Sequence, residues 1–355
     1  MENLKEYLQS TSQQVEAFVD TLPTPHLSPR EIREGALMYF YRGGKRLRPA
    51  LLRLFAGAYG GEKKEAAALP AACAAELFHN WTLIHDDIID HDLKRRGGPS
   101  VHAKIADDFG AYPADKAQEY GIDGAILAGD ALQAMSVRAL GKSTQYGVDP
   151  QLTLCLLERM EGQTLDQLIC GEALDTRFGV LNTPADTQQV SQVLLGKTGA
   201  LFAFCASAGT MIGLELSDEN DPRVSGAAAF GMDCGLAFQL QDDILGILSD
   251  EKTLGKPIGS DVREGKNTLM KLYAYEKATP DQRQILDRAM GNRDCDDALM
   301  RSCIQVLQDT GAVAHTQELA RQAIDRAQQA ILRLPDNRYK ELIHQWADSM
   351  LNRTH

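Results

Sequence analysis

Acidic residues cluster at the ends of two apolar helical segments. Asp86, Asp87 and Asp90 close the first segment, and Asp86 and Asp90 share one helix face because they are four residues apart. Asp242 and Asp243 close the second segment in the same way. Carboxylates this close repel one another, and Mg²⁺ takes one or two carboxylates together with substrate phosphates. The pattern therefore predicts Mg²⁺ at both clusters, although the first cluster alone also fits a solvated acidic helix end.

Basic side chains beside glycines accompany both clusters and predict contacts with phosphate groups. Lys45 and Arg48 lie in a glycine-rich turn before a helix whose N-terminus also favours phosphate. Arg95 and Arg96 directly follow the first acidic cluster. The remaining basic candidates are Lys197, Lys256 and Lys266. A single basic run is usually solvated, but together these residues indicate space for two phosphorylated substrates.

Helices must position these residues, because Ala, Leu, Gln and Glu dominate and alternating strand-like runs are missing. Helices are predicted over 64–92 and 222–248, which carry the two acidic clusters at their ends. Each is followed by a long loop, 93–122 and 249–266, and long loops of this kind are usually functional or flexible. With no linker and no repeat, the sequence predicts an all-α protein that forms one large helical bundle domain over residues 1–355.

The composition is that of an ordinary globular protein, since 44% of the 355 residues are hydrophobic and 24% are charged. The formal net charge of −12 argues against a nucleic-acid or membrane-surface binder, which would be basic. Seven scattered cysteines without a Cys-x-x-Cys pair indicate reduced thiols. No signal peptide or membrane span is expected. We therefore expect a cytoplasmic protein with no nucleic-acid partner and no stable membrane insertion.

The motifs, taken in order, resemble the trans-isoprenyl diphosphate synthases, also called polyprenyl synthetases, of the short geranylgeranyl/farnesyl diphosphate synthase type. The resemblance runs from about residue 28 to at least 270, and the ordered set is specific although each motif alone is not. The matching segments are 44–49, 76–79, 83–90, 95–97, 127–130, 162–166, 197–198, 238–243 and 255–257.

The resemblance implies an all-helical fold around a deep central cavity and a homodimer. It also implies Mg²⁺-dependent, head-to-tail condensation of isopentenyl diphosphate with an allylic diphosphate. Asp86, Asp90 and Asp242 are implied to hold about three Mg²⁺ ions on the allylic diphosphate. Asp87 and Asp243 are implied to support them.

Each substrate is implied to have its own set of protein groups. Arg95, Lys197 and Lys256 would contact the allylic diphosphate. The residues implied to bind isopentenyl diphosphate are Lys45, Arg48, His79 and Arg96. The groups implied to stabilise the allylic cation are Thr198, Gln239 and the Lys197 carbonyl. The departing diphosphate would take the proton, so no protein base is required.

The sequence departs from the family pattern at two places. Gly246 stands where the second acidic motif frequently has a third Asp. We expect this change to weaken the support of the metal site rather than abolish activity. The region 103–123 is longer than usual, and no role is predicted for it.

One face of the first acidic helix predicts the product length. Phe78, Trp81, Thr82, His85 and Asp86 follow the spacing i, i+3, i+4, i+7, i+8 and therefore share that face. Trp81 precedes Asp86 by about 7.5 Å along the axis and would form a floor that stops chain growth. The alternative is ordinary core packing. By resemblance, a large residue here beside the small Thr82 predicts a C20 product, with C15 second.

Three other functions share part of this pattern. A class I terpene cyclase carries the first acidic motif, but the second metal triad typical of a cyclase is missing from the sequence. A di-iron carboxylate bundle would use Glu-x-x-His pairs such as those in 76–79 and 341–344, yet it needs neither the Asp pairs nor the basic motifs. A non-catalytic partner subunit is not expected to keep both Asp pairs.

Overall fold

The structure, a computed structural model, describes residues 3–24, 26–181, 183, 185–248 and 259–351. The α-helices in these ranges are α1 (Leu4–Asp20), α2 (Arg30–Tyr41), α3 (Leu47–Ala67), α4 (Leu69–Ile89), α5 (Val101–Asp108), α6 (Ala114–Gly141), α7 (Pro150–Arg159), α8 (Leu165–Val180), α9 (Thr187–Leu194), α10 (Ala200–Leu214), α11 (Pro222–Leu248), α12 (Ser260–Glu264), α13 (Leu269–Lys277), α14 (Pro280–Ala289), α15 (Asp297–Asp309), α16 (Ala312–Ala330) and α17 (Arg338–Leu351). The segment Lys142–Tyr146 is a 3₁₀-helix, and Met160–Thr164 and Leu195–Gly199 are π-helical. Strand β1 (Lys94–Arg95) pairs antiparallel with β2 (Gly98–Pro99). The all-α prediction is confirmed.

The predicted loop 93–122 is largely helical, so that prediction is wrong. α5 covers Val101–Asp108 and α6 begins at Ala114. Gly121, which reads as a loop residue in the sequence, lies where α6 touches α5. A β-carbon at this position would lie 2.5 Å from the carbonyl oxygen of His102. The glycine therefore serves close packing between two helices rather than a turn.

The described residues form two compact units. Unit 1 comprises residues within 1–160, 205–224 and 334–343. Unit 2 comprises residues within 161–204, 225–333 and 344–355. The single domain over 1–355 stays a prediction.

Unit 1 is built around α4, which packs mainly against α6 and α3. A run of small side chains in the first half of α4 is fully buried, namely Ala71, Ala72, Cys73, Ala74 and Ala75. Small side chains let neighbouring helices approach closely. Further along α4, a β-carbon on Gly129 of α6 would lie 2.3 Å from His85 Nε2. This contact fixes the residue immediately before Asp86.

Unit 2 holds the second acidic cluster on α11. Ile244 of α11 and Val262 of α12 are buried in one apolar cluster, which fixes the end of α11 beside α12. The π-helical segment Leu195–Gly199 packs on α8. A β-carbon on Gly196 would lie 2.6 Å from a carbonyl oxygen of α8. This close approach brings Lys197 against α8.

Within the described residues, one helical run, Thr187–Leu214, is long and apolar enough to cross a bilayer by length and composition alone. Of its most apolar window, 89% is buried inside the protein. Core helices of folded proteins meet the same criterion, and the burial agrees with the core helix predicted for this stretch.

Candidate active site

The end of α4 carries the first acidic cluster. The helix ends at Ile89, and the Asp90 backbone N–H donates to the Asp86 carbonyl oxygen at 2.8 Å. Asp86 is partly buried, Asp90 is exposed, and Asp87 is completely buried. Asp86 and Asp90 therefore lie one turn apart, as their spacing requires, while Asp87 points into the protein.

Asp87 holds the chain that follows the acidic cluster. Arg95 Nε donates to Asp87 Oδ1 at 2.7 Å, and the Tyr39 hydroxyl donates to Oδ2. Burial and the Asp87 carboxylate raise the pKa of Tyr39 well above its ordinary value, so the hydroxyl remains a donor. The same hydroxyl accepts from the Val101 backbone N–H at 2.9 Å. Asp87 thus positions Arg95 and the start of α5, a role that is not predicted from the sequence. Metal binding by Asp87 stays a prediction.

A cationic site surrounds His79 on the same helix. The pKa of His79 is held well below its ordinary value. The main cause is burial, and the positive charges of nearby arginines add to it, namely Arg48, Arg96, Arg95 and Arg46. The imidazole is therefore neutral at neutral pH. The structure thus brings together His79, Arg48 and Arg96, three of the four residues predicted to bind isopentenyl diphosphate. The fourth, Lys45, is exposed at the adjacent turn. So much positive charge around a neutral ring suits an anionic ligand.

Two arginines also hold the turn that carries Lys45. Arg96 donates to Asn80 Oδ1 at 3.3 Å and to the backbone carbonyls of Tyr39 and Gly43. The completely buried Arg46 guanidinium donates to Glu76 Oε1 at 2.7 Å and to the Phe40 carbonyl at 2.6 Å. Sequence reasoning missed the pair of Arg46 with Glu76. The available signal was an acidic residue inside the apolar first half of α4, which requires a partner when buried.

Replacing Arg46 with Met should lower the free energy of unfolding by about 3–5 kcal/mol, because Glu76 would remain buried without its ion pair. Thermal unfolding should then occur roughly 10 °C lower. Adding Glu76→Gln should recover much of this loss, since no unpaired charge then remains. The control is Glu34→Gln, which breaks the exposed Arg30–Glu34 pair and should cost about 0.5 kcal/mol or less. Equal unfolding temperatures for Arg46→Met and the wild type would contradict this role.

The second acidic cluster is joined to predicted catalytic groups within unit 2. The Thr198 hydroxyl donates to Gln239 Oε1 at 3.2 Å, and Gln239 Nε2 donates to Asp243 Oδ1 at 3.2 Å. Thr198 and Asp243 are both buried. The structure therefore connects three predicted site residues in one hydrogen-bonded chain, with Asp242 beside them on α11.

Two acidic residues of α8 hold Lys197. Its Nζ lies 2.7 Å from Glu172 Oε2 and 2.7 Å from Asp175 Oδ2. These acids are three residues apart and therefore share one face of α8. Neither acid is predicted from the sequence, although their helical spacing was available as a signal. Lys197 is thus held in place before any substrate binds.

The surroundings of the Asp243 carboxylate show whether the second acidic cluster suits a cation. Its side chain is 2% exposed, and Oδ2 has no hydrogen-bond partner in the part of the chain that the structure describes. Burial raises the pKa of Asp243 to about 7; Asp261 and Asp242 also raise this pKa, while Lys266 and Gln239 lower it. A buried carboxylate oxygen without a donor suits a bound cation. The described ranges contain no group of three Asp, Glu, His or Cys side chains that could hold a metal, so Mg²⁺ would need phosphate oxygens as further ligands.

The predicted chain-length residues line one face of α4. The rings of Phe78 and Trp81 are in edge contact at 5.1 Å, and those of Trp81 and His85 at 5.5 Å. Phe78 is buried, whereas Trp81 is only partly buried. The Thr82 hydroxyl donates to the His79 carbonyl at 2.8 Å, so it is occupied by its own helix. The shared face predicted from spacing is confirmed for the three rings.

Comparison with known proteins decides what this site belongs to. Residues 30–307 match the sequence model of the family described as polyprenyl synthetase. The chain belongs to this family. This polyprenyl synthetase is therefore a prenyltransferase, as the resemblance implied.

Similar prenyltransferases come from archaea and bacteria. A geranylfarnesyl diphosphate synthase from Aeropyrum pernix is 33% identical over 92% of this chain and 96% of that protein. The crystal structure of a geranylgeranyl pyrophosphate synthetase from Pyrococcus horikoshii Ot3 is 30% identical, with a TM-score of 0.82 over 99% of this chain and 97% of that one. The crystal structure of a polyprenyl synthase from Caulobacter crescentus CB15, complexed with calcium and isoprenyl diphosphate, is 26% identical in sequence. Its TM-score is 0.80, and the match covers 99% of this chain and 97% of that one.

Membership of the polyprenyl synthetases excludes the di-iron bundle. In this prenyltransferase Glu76, one of the acids that the bundle would need, is ion-paired with Arg46 instead. Among the predicted substrate contacts, Lys266 lies near Asp243. Lys256 lies outside the described residues.

Proposed function

We propose that this polyprenyl synthetase condenses isopentenyl diphosphate head-to-tail with an allylic diphosphate and releases diphosphate, with Mg²⁺ as its cofactor. The observation that carries the proposal is the layout of α4. His79 lies among four arginines, and Asp86 follows two turns later, about 10 Å along the helix axis. One helix thus presents a cationic site and an acidic site, which suits two diphosphate substrates of which one is bound through metal ions.

The protein's first task is to neutralise the leaving diphosphate, which carries roughly three negative charges. About three Mg²⁺ ions held by Asp86, Asp90 and Asp242 would supply positive charge. This charge would stabilise the negative charge that grows on the diphosphate as the C–O bond breaks. Arg95, anchored by Asp87, adds fixed positive charge beside Asp86. Lys197, held by Glu172 and Asp175 in unit 2, is proposed as a second contact with the diphosphate, and Lys256 as a further one.

The protein's second task is to stabilise the allylic cation. The Lys197 carbonyl and the linked side chains of Thr198 and Gln239 supply oriented dipoles for this purpose. The double bond of isopentenyl diphosphate then forms the new C–C bond with carbon 1 of the allylic cation. Carbon 2 of the isopentenyl unit loses a proton, which passes to the departing diphosphate, so this chain needs no general base.

We propose a C20 all-trans product. Trp81 lies on the predicted face of α4, about 7.5 Å before Asp86, and its buried indole N–H has no hydrogen-bond partner within the described ranges. The Trp81 ring packs against the rings of Phe78 and His85, and such an aromatic surface suits the end of a prenyl chain. The Pyrococcus relative is named for a C20 product and the Aeropyrum relative for a C25 product. C25 therefore joins C15 as the other candidates.

We also propose a homodimer in the cytoplasm. Ile122, Ile126 and Leu127 form an exposed apolar group on α6, which a second copy could cover. The seven cysteines are all free thiols, which supports a reducing compartment. Neither a nucleic acid nor stable membrane insertion has a place in the proposal.

The proposal is tested by incubating the protein with isopentenyl diphosphate, Mg²⁺ and one primer at a time. The primers are dimethylallyl, geranyl and farnesyl diphosphate. We expect a linear C20 alcohol after dephosphorylation and chromatography, and no turnover when EDTA removes the metal. A cyclic hydrocarbon would indicate a terpene cyclase instead, and products of C30 or longer would contradict the short-chain assignment.

A further inference from the structure

A short hairpin carries the two arginines that are expected to contact different substrates. Arg95 ends β1, and the next residue, Arg96, begins the turn to β2. Arg96 and Gly97 both have positive φ angles, 51° and 74°, as in a type I′ turn. A residue with a side chain adopts this conformation only at a cost in free energy. Two paired strands are marginal by themselves, so the position of both arginines depends on contacts from outside the hairpin.

Arg42, the residue directly after α2, supplies such contacts. Its Nη1 donates to the carbonyl oxygen of Arg95 at 3.2 Å and to that of Pro99. These two carbonyls lie on either side of the turn, one on each strand, so a single guanidinium holds both strands. Its Nη2 lies 3.1 Å from Met38 Sδ on α2, which fixes the guanidinium against its own helix.

The hairpin makes the reverse contact with the end of α2. Arg96 donates to the backbone carbonyls of Tyr39 and Gly43, which flank Arg42 in the chain. The two segments therefore exchange arginines, because Arg42 holds the backbone of the hairpin while Arg96 holds the backbone around Arg42. The turn that carries Lys45 follows directly. A hairpin that moved would thus disturb this turn as well.

Gly98 of β2 leaves room for the Arg42 guanidinium. A β-carbon at Gly98 would lie 2.8 Å from Arg42 Cζ and 3.0 Å from its Nη1. The three atoms nearest to that β-carbon all belong to this guanidinium. Because hydrogen bonds on both strands hold the guanidinium in place, a side chain at Gly98 would displace it from the carbonyls. Arg42 and Gly98 are therefore a matched pair.

We propose that Arg42 is a positioning residue for both substrate sites. By holding the hairpin against α2, it keeps Arg96 in its left-handed conformation and fixes the spacing of the two arginines. The inference rests on the proposed function, since these arginines are expected to contact the two diphosphates. Asp87 anchors Arg95 independently, so the binding of isopentenyl diphosphate should depend on Arg42 more strongly than the binding of the allylic substrate.

Initial rates of the full-length protein with isopentenyl diphosphate, geranyl diphosphate and Mg²⁺ test the inference. Arg42→Met should raise KM roughly 10-fold for isopentenyl diphosphate and about 3-fold for geranyl diphosphate, because both contacts are misplaced. The kcat should stay within about twofold of the wild type, since the lost interaction serves the ground state and the transition state alike. The control Arg33→Met removes an exposed arginine from α2 and should leave these constants unchanged.

Two further variants separate positioning from a general loss of stability. Arg42→Lys keeps a nitrogen donor for the two carbonyls and should return KM for isopentenyl diphosphate to within about threefold of the wild-type value. Gly98→Val should displace the guanidinium and raise the same KM about 10-fold. Combining Gly98→Val with Arg42→Met should add nothing further, since both changes remove one interaction.

Isothermal titration of the full-length protein with isopentenyl diphosphate alone should show the same weakening in Kd, so the inference is testable without turnover. A wild-type KM and Kd for Arg42→Met would overturn it. So would a loss that Arg42→Lys does not reduce, additive effects of the Arg42 and Gly98 changes, or a fall in melting temperature with both constants unchanged. Failure of the proposed function is a separate result, in which the wild type itself forms no prenyl product.

Discussion

Asp86→Asn is expected to lower kcat on the order of 10³-fold with isopentenyl and allylic diphosphates. The carboxylate lies at the end of α4, partly exposed and one turn from Asp90, where it would hold Mg²⁺ against the leaving group. An amide keeps the shape of the side chain but loses the charge that binds the metal. Initial rates at saturating Mg²⁺ measure the effect. The melting temperature should change little, since Asp86 is not a core residue.

The matched control for Asp86 is Asp107→Asn, which removes an exposed carboxylate from α5 in the same unit. Its kcat should equal that of the wild type. If Asp86→Asn retained most of its activity, the acidic cluster would not be the metal site. The non-catalytic partner subunit would then become the better interpretation.

Trp81→Ala is expected to shift the main product by at least one isoprene unit, from C20 to C25 or longer. Trp81 lies in ring contact with both Phe78 and His85, so its removal opens the face of α4 along which the chain would grow. The Phe78 ring, one turn deeper, would become the next floor. Chromatography of the dephosphorylated products measures the shift directly.

The control for Trp81 is Tyr112→Ala, which truncates an exposed aromatic residue outside that face and should leave the product unchanged. Ordinary core packing predicts a different result for Trp81→Ala: a loss of about 3–5 kcal/mol of stability without any change in product length. Product length and thermal unfolding therefore separate the two interpretations.

Sequence reasoning succeeded where the relation between residues is local. The i, i+4 spacing of Asp86 and Asp90 and the shared face of Phe78, Trp81 and His85 follow from helix geometry alone. The all-α class follows from composition and from the absence of alternating runs. The loop predicted over 93–122 is wrong, because Gly121 indicates a loop in the sequence but allows a close contact between two helices in the fold.

The tertiary structure decided the partners that lie far apart in the chain. Asp87 pairs with Tyr39, and Glu76 pairs with Arg46. No spacing rule predicts such contacts, because they depend on which helices pack together and how closely. Thus the sequence alone determined the helical class and the acidic and basic groups that a prenyltransferase requires. Only packing decided which of those groups are buried and which are held by partners.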